Sequence, residues 1–191
     1  LKRNKVLSDG FIVNASSNRN SPLQTSNGVF YWGVVEGYEN STVAINVFDN
    51  EISGTIDLGD ETYTLGKIGK SNKYILYQEK DLEEHPNLSC YSGDLKEDIE
   101  ERVHTEFRSA SNPDNCVRLY VEVDYDIYQH FGSVAAAYNY VAGAFSQVAI
   151  LYANESINMT LNQVLVWDTE DPYNSTSTSE LLSAFRGNVQ D

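Results

Sequence analysis

The sequence has 191 residues, with 13 Lys and Arg against 28 Asp and Glu, a formal charge of −15. A surface this negative repels phosphate backbones and anionic headgroups, so no nucleic-acid or acidic-membrane partner is expected. At 41% hydrophobic and 12% aromatic, the chain carries the apolar mass of a packed core, which excludes wholesale disorder.

Residues 1–26 are polar and irregular apart from Phe11, Ile12 and Val13. From residue 27 to 78 short apolar runs alternate with turn residues about every ten positions, the rhythm of an antiparallel β-meander. The runs are residues 30–35, residues 42–48, Ile52 to Leu58 with a clean period of two, Tyr63 with Leu65, and residues 74–77. Residues 79–115 are a charged connector, ending in the exposed-linker composition of residues 109–115. A boundary falls there, leaving one unit over residues 1–110 and a second over 116–191.

The second unit reads as a partial α/β piece, strand–helix–strand. Val117, Leu119, Val121 and Val123 alternate with polar neighbours. Residues 133–152 form an uncharged helix with an apolar stripe at Val134, Tyr138, Val141, Phe145, Val148 and Tyr152. Residues 157–167 give the next strand, with a bulge expected near Asn162 and Gln163 and a parallel relation to the first. Ser177 to Glu180 is a capping box that opens a further helix. Two strands with these helices bury their own faces poorly, so further strands are expected from sequence after Asp191.

No apolar run approaches the roughly 20 residues that cross a bilayer, so no membrane span is expected. The chain opens on Leu1 with no signal-peptide core, which reads as an internal piece of a longer precursor. Sequons at Asn14, Asn40, Asn87, Asn154, Asn158 and Asn174 are glycosylation candidates and lean toward a secreted surface.

Catalytic signals are sparse. His85, His104 and His130 include no i, i+4 pair for a helical zinc site, and neither a nucleophile elbow nor a phosphate loop occurs. The acids Asp124 and Asp126, and Asp168, Glu170 and Asp171, have a calcium-like composition but read as solvated loop acids. Trp32 and Trp167 border apolar runs and read as core. Cys90, within residues 87–94, has three open readings: a zinc ligand on a pro-segment, a disulfide partner of Cys116, or a free thiol.

Two stretches carry a family likeness. Residues 30–45 contain aromatic-x-Gly-x-Val-x-Gly and then Ser-x-Val, ending Ser41-Thr42-Val43; Gly54-Thr55-Ile56 and Tyr63 continue the pattern. Residues 116–128 end in Asp124-Tyr125-Asp126-Ile127-Tyr128, followed in order by the long helix, a strand closing on Val166-Trp167, and residues 181–186. In these motifs and their order the chain resembles the secreted, reprolysin-like metzincin zinc proteases. The resemblance implies a propeptide over residues 1–110 and the first part of a catalytic domain over 116–191. It places the zinc ligands and the general-base Glu on a His-Glu-x-x-His helix after Asp191, so neither a catalytic residue nor a catalytic metal ligand is assigned here. It implies that Cys90 is an inhibitory zinc ligand. Arg118 stands where many reprolysins carry a calcium-binding Glu, so that calcium site is not supported. The implied activity is hydrolysis of protein or peptide substrates, held in check by contact between propeptide and catalytic part. The competing expectation is a non-enzymatic secreted β-rich binding or adhesion module.

Overall fold

A computed structural model describes residues 1–25, 28–69, 71–82, 116–175 and 177–189. In chain order the strands are β1 (Lys2–Asn4), β2 (Leu7–Ala15), β3 (Asn18–Leu23), β4 (Val29–Val35), β5 (Tyr38–Phe48), β6 (Glu51–Asp57), β7 (Thr62–Lys67) and β8 (Tyr74–Gln78). After a short 3-10 turn, β9 (Cys116–Val123), α1 (Tyr125–Phe131), α2 (Val134–Asn154), β10 (Asn158–Val166) and α3 (Thr178–Val189) follow. The fold is mixed α+β, with most strand pairs antiparallel.

Strands β4 to β8 pair in sequence order, as loops of a few residues dictate. The motif residues have local structural jobs. Gly37 takes φ 84° in the two-residue turn between β4 and β5, a conformation that a Cβ disfavours. The buried Ser41 hydroxyl accepts from the Val35 N–H at 2.7 Å and donates to the Tyr38 carbonyl at 2.6 Å, tying off the same hairpin. Gly54 lets β6 pass close to β5, since a Cβ there would lie 2.5 Å from the Ala44 carbonyl oxygen.

Residues 1–25 are not irregular, contrary to the reading of the polar composition of residues 1–26. β1 pairs antiparallel with β4 and widens the meander to six strands. β2 leaves that sheet and enters a second one, of order β3-β2-β10-β9. β9 and β10 are parallel, with the register shift between Leu161 and Gln163 that the sequence foreshadows. β2 pairs parallel with the other side of β10. The next strand on that side therefore comes from the N-terminus rather than from sequence after Asp191.

Helix α2 runs between the two sheets, packing on β9 and β10 and on β5 and β6. Its buried residues are Ala137, Tyr138, Ala142, Gly143, Phe145, Ser146, Ala149 and Ile150. The predicted stripe is thus only half right: Tyr138 and Phe145 are buried, while Val148 and Tyr152 are 43% and 45% exposed. A helix squeezed between two layers selects small side chains where backbones approach. A Cβ on Gly143 would meet Ser53 Oγ at 3.2 Å and Asn46 Nδ2 at 3.3 Å. Asn46 Nδ2 donates to the Gly143 carbonyl at 3.3 Å, and Trp32 Nε1 donates to Ser146 Oγ at 3.1 Å. With 21 residues and a mean hydropathy of 1.3, α2 is long and apolar enough to cross a membrane by length and composition, which corrects the expectation that no such run exists. Its small-residue face is nonetheless packed between sheets, as a core helix is.

One hydrophobic cluster joins both parts of the chain. Val6, Leu7, Val13, Phe30 and Phe48 come from the first 82 residues; Val123, Tyr138, Phe145, Leu161, Val164 and Val166 come from beyond the connector.

Candidate functional site

Parallel strands present their carboxyl ends on one side of a sheet, and crevices there are common ligand sites. In this chain a cleft of 780 Å³ opens beyond the ends of β9 and β10, lined by Glu122, Asp124, Asp126, Asp171, Tyr173 and Phe185 among others.

Its acids are largely committed to protein donors. Glu122 Oε1 accepts from the Tyr120 hydroxyl at 2.6 Å, and Oε2 accepts from Trp167 Nε1 at 2.8 Å and from the Tyr173 hydroxyl. Burial, reinforced by this carboxylate, pushes the Tyr120 and Tyr173 phenols well above their ordinary range. Asp124 is the N-cap of α1 and accepts from the Ile127 N–H at 2.9 Å. Asp171 accepts from the Tyr125 and Tyr173 N–H groups at 2.9 and 2.8 Å. These carboxylates stiffen the rim. Among the described residues no group of three His, Cys, Asp or Glu is placed to hold a metal ion. His130 is exposed and lies edge-on to Phe131, outside this cleft.

The residues that follow β10 are braced from the N-terminal segment. Arg19 lies over the Trp167 ring, 4.7 Å from its centroid. Asp168 accepts from Ser16 Oγ and the Ser17 N–H, each at 2.8 Å. Sequence reasoning missed this brace, and its only early signal was the apolar run at Phe11 to Val13. It also missed α1, although Asp124 at the N-cap and Gly132 at φ 72° after the last turn are ordinary helix punctuation.

The sequence-predicted candidates are scattered. Cys90, Asn87, His85 and His104 lie outside the described residues. Cys116 opens β9, its Sγ 3.3 Å from Thr160 Oγ1. Asn40, Asn154, Asn158 and Asn174 are exposed. Asn14 is 6% exposed and donates to the Arg19 carbonyl at 2.8 Å, so the folded chain offers no room for a glycan on it. Trp167 is buried, as expected, while Trp32 is half-buried. The capping box opens α3 at the expected place but with different partners: Glu180 takes the Ser175 hydroxyl rather than the Ser177 N–H.

Residues 113–191 match the reprolysin model described as metallo-peptidase family M12. Over that stretch, from β9 through α3, the chain is similar to the reprolysin-like metallopeptidases. Among curated proteins none matches the chain.

Proposed function

We propose that residues 116–191 are the opening strand, helix and second strand of a secreted zinc metalloendopeptidase, and that residues 1–110 are its propeptide. The observation that carries this is the M12 match, which starts at the linker before β9 and extends through α3. The exposed amides of Asn40, Asn154, Asn158 and Asn174 fit a glycosylated, secreted surface. In this reading the partners are protein or peptide substrates and, within the chain, the contact between propeptide and protease part.

Metallopeptidases of this family use zinc, but the residues present do not fit that ion. The sequence has no His-Glu-x-x-His, and the described residues assemble no ligand set. These residues contribute to the reaction by building and packing the sheet beside the cleft. The propeptide's help in folding has a structural counterpart, because Val6, Val13 and Phe48 fill the core around Tyr138 and Val164. A free-standing binding module over residues 27–78 is disfavoured, because α2 covers β5 and β6.

The 191-residue chain with added zinc is expected to leave a peptide substrate intact. In a precursor extended to a His-Glu-x-x-His helix, cutting within residues 83–115 should raise hydrolysis, and Cys90→Ala should raise it without a cut. An extended precursor that never hydrolyses peptides would sink the protease reading. Unchanged latency in Cys90→Ala would remove the inhibitory role of that thiol.

A further inference from the structure

The outer edge of β10 is filled by β2 in parallel register, from Leu7 opposite Leu161 to Ala15 opposite Val166. Backbone bonds close both ends of this ladder: the Leu161 N–H donates to Val6 O, and the Ser16 N–H donates to Val166 O, each at 2.9 Å. Side chains secure it further. Ser8 Oγ donates to Asn162 Oδ1 at 3.0 Å near the bulge, and Ser16 and Ser17 grip Asp168 beyond the last pair.

Parallel neighbours are usually joined by a crossover of a dozen or more residues. Here the partner strands stand roughly 150 positions apart, so the chain between them does little to hold them in register. Their association rests on contacts: the ladder, the Asp168 clasp and a shared core. Val6 and Val13 are completely buried against residues that follow the connector, Leu161 and Val164 among them. The second contact layer is independent of β2. Asn46 and Trp32 of the meander bond to Gly143 and Ser146 of α2, and Phe48 meets the Tyr138 ring edge-on at 6.3 Å.

We infer that residues 1–82 and 116–191 are complementary pieces of one non-covalent particle, with the edge of β10 acting as a strand-accepting site whose ligand is the extended segment 7–15. This is strand addition at a sheet edge, with main-chain bonds supplying affinity and buried alternate side chains supplying register. The inference does not require the protease reading. If that reading holds, a cut in the connector does not by itself release the N-terminal piece, which stays paired with β10.

The test uses the full chain with a site-specific protease sequence inserted between residues 100 and 101. After complete cutting, the pieces should co-elute near the 21.4 kDa of the uncut chain, with unchanged far-ultraviolet dichroism, and part only in denaturant. Ser16→Ala with Asp168→Ala should raise the dissociation constant of the cut pieces about ten- to a hundredfold while the uncut double variant stays folded. Pieces that separate on cutting, or that unfold when cut, overturn the inference. So does a double variant whose cut pieces hold together as tightly as the parent's. Failure of an extended precursor to hydrolyse peptides would sink the protease reading and leave these outcomes unaffected.

Discussion

Ser16 and Asp168 stand 152 positions apart, and the hydroxyl of the first donates to Oδ1 of the second at 2.8 Å. The Ser17 N–H donates to the same oxygen. Burial alone would raise the Asp168 pKa, but the bonds from Ser17 and Ser16 outweigh it and hold the carboxyl below its ordinary 3.8. A group depressed in the folded state stabilises it above the unfolded pKa, and that contribution is lost as pH falls through the folded value. Asp168→Asn should therefore lower the unfolding free energy at neutral pH by about 1–2 kcal/mol. The gap to the parent should narrow as pH drops below 3.8. Urea titrations at neutral and acid pH check this; a gap that stays constant refutes the ionised clasp.

Glu122 supplies a second pH signature at the opposite end of the scale. Its carboxylate serves Tyr120, Trp167 and Tyr173 together. Burial comes first in raising both phenols above the ordinary 10.0, with the Glu122 bond next. Raised acids contribute stability below the unfolded pKa and lose it as pH climbs beyond that value. Replacing Glu122 with Gln turns one oxygen into a donor that confronts donors, at about 1–3 kcal/mol. Spectrophotometric titration of the tyrosines should then show the late-ionising fraction moving down toward 10.0. An unshifted late fraction would mean that burial alone raises these phenols.

Glycines at close approaches give a graded series. At Gly54 an added Cβ would lie 2.5 Å from a backbone oxygen that has no room to yield. Gly54→Ala should destabilise by about 1–3 kcal/mol. At Gly143 the neighbours are the tips of Ser53 and Asn46, at 3.2 and 3.3 Å. Gly143→Ala also gains about 1 kcal/mol of helix propensity, so it should be close to neutral. The larger Gly143→Val has no such offset and should cost about 1–3 kcal/mol by pushing α2 off β5 and β6. Equal effects at the two Ala variants would contradict the geometry.

Local periodicity disclosed most of the elements. Strands β4 to β8 follow the alternation of their own residues, and their short loops leave sequential pairing as the simplest outcome. Strands β9 and β10 with α2 were equally visible, including the bulge after Leu161. What periodicity does not carry is which distant edge a strand meets. β2 reads DGFIVNA along part of its length, with too few alternations to announce a strand, and its partner lies in the last third of the chain. The burial of α2 failed for a related reason. A stripe of large residues is the signature of a helix lying on one surface, and α2 lies between two, where Ala142, Gly143 and Ala149 are the residues that fit. At the cleft, the acids were visible as composition, but their commitment to Tyr173, Trp167 and the α1 N-terminus depends on contacts across 45 to 51 positions.

Tyr138 sits where all these layers meet. It is completely buried, with the Phe11 ring centroid 5.5 Å away and that of Phe48 at 6.3 Å. Its hydroxyl has no hydrogen-bond partner among the described residues. Desolvation pushes the phenol above its ordinary range, which favours its neutral form. A buried, unbonded hydroxyl costs about 1–3 kcal/mol, while the ring itself contributes packing on both sides. Tyr138→Phe keeps the ring and removes the unbonded group. It should raise the unfolding free energy by about 1 kcal/mol, or roughly 2–4 °C in melting temperature for a chain of this size. Tyr138→Ala should instead lose about 3–5 kcal/mol through the cavity left between the sheets. Paired melts of the two variants separate the contributions of hydroxyl and ring; a Phe variant less stable than the parent would show that the hydroxyl is bonded in the folded chain.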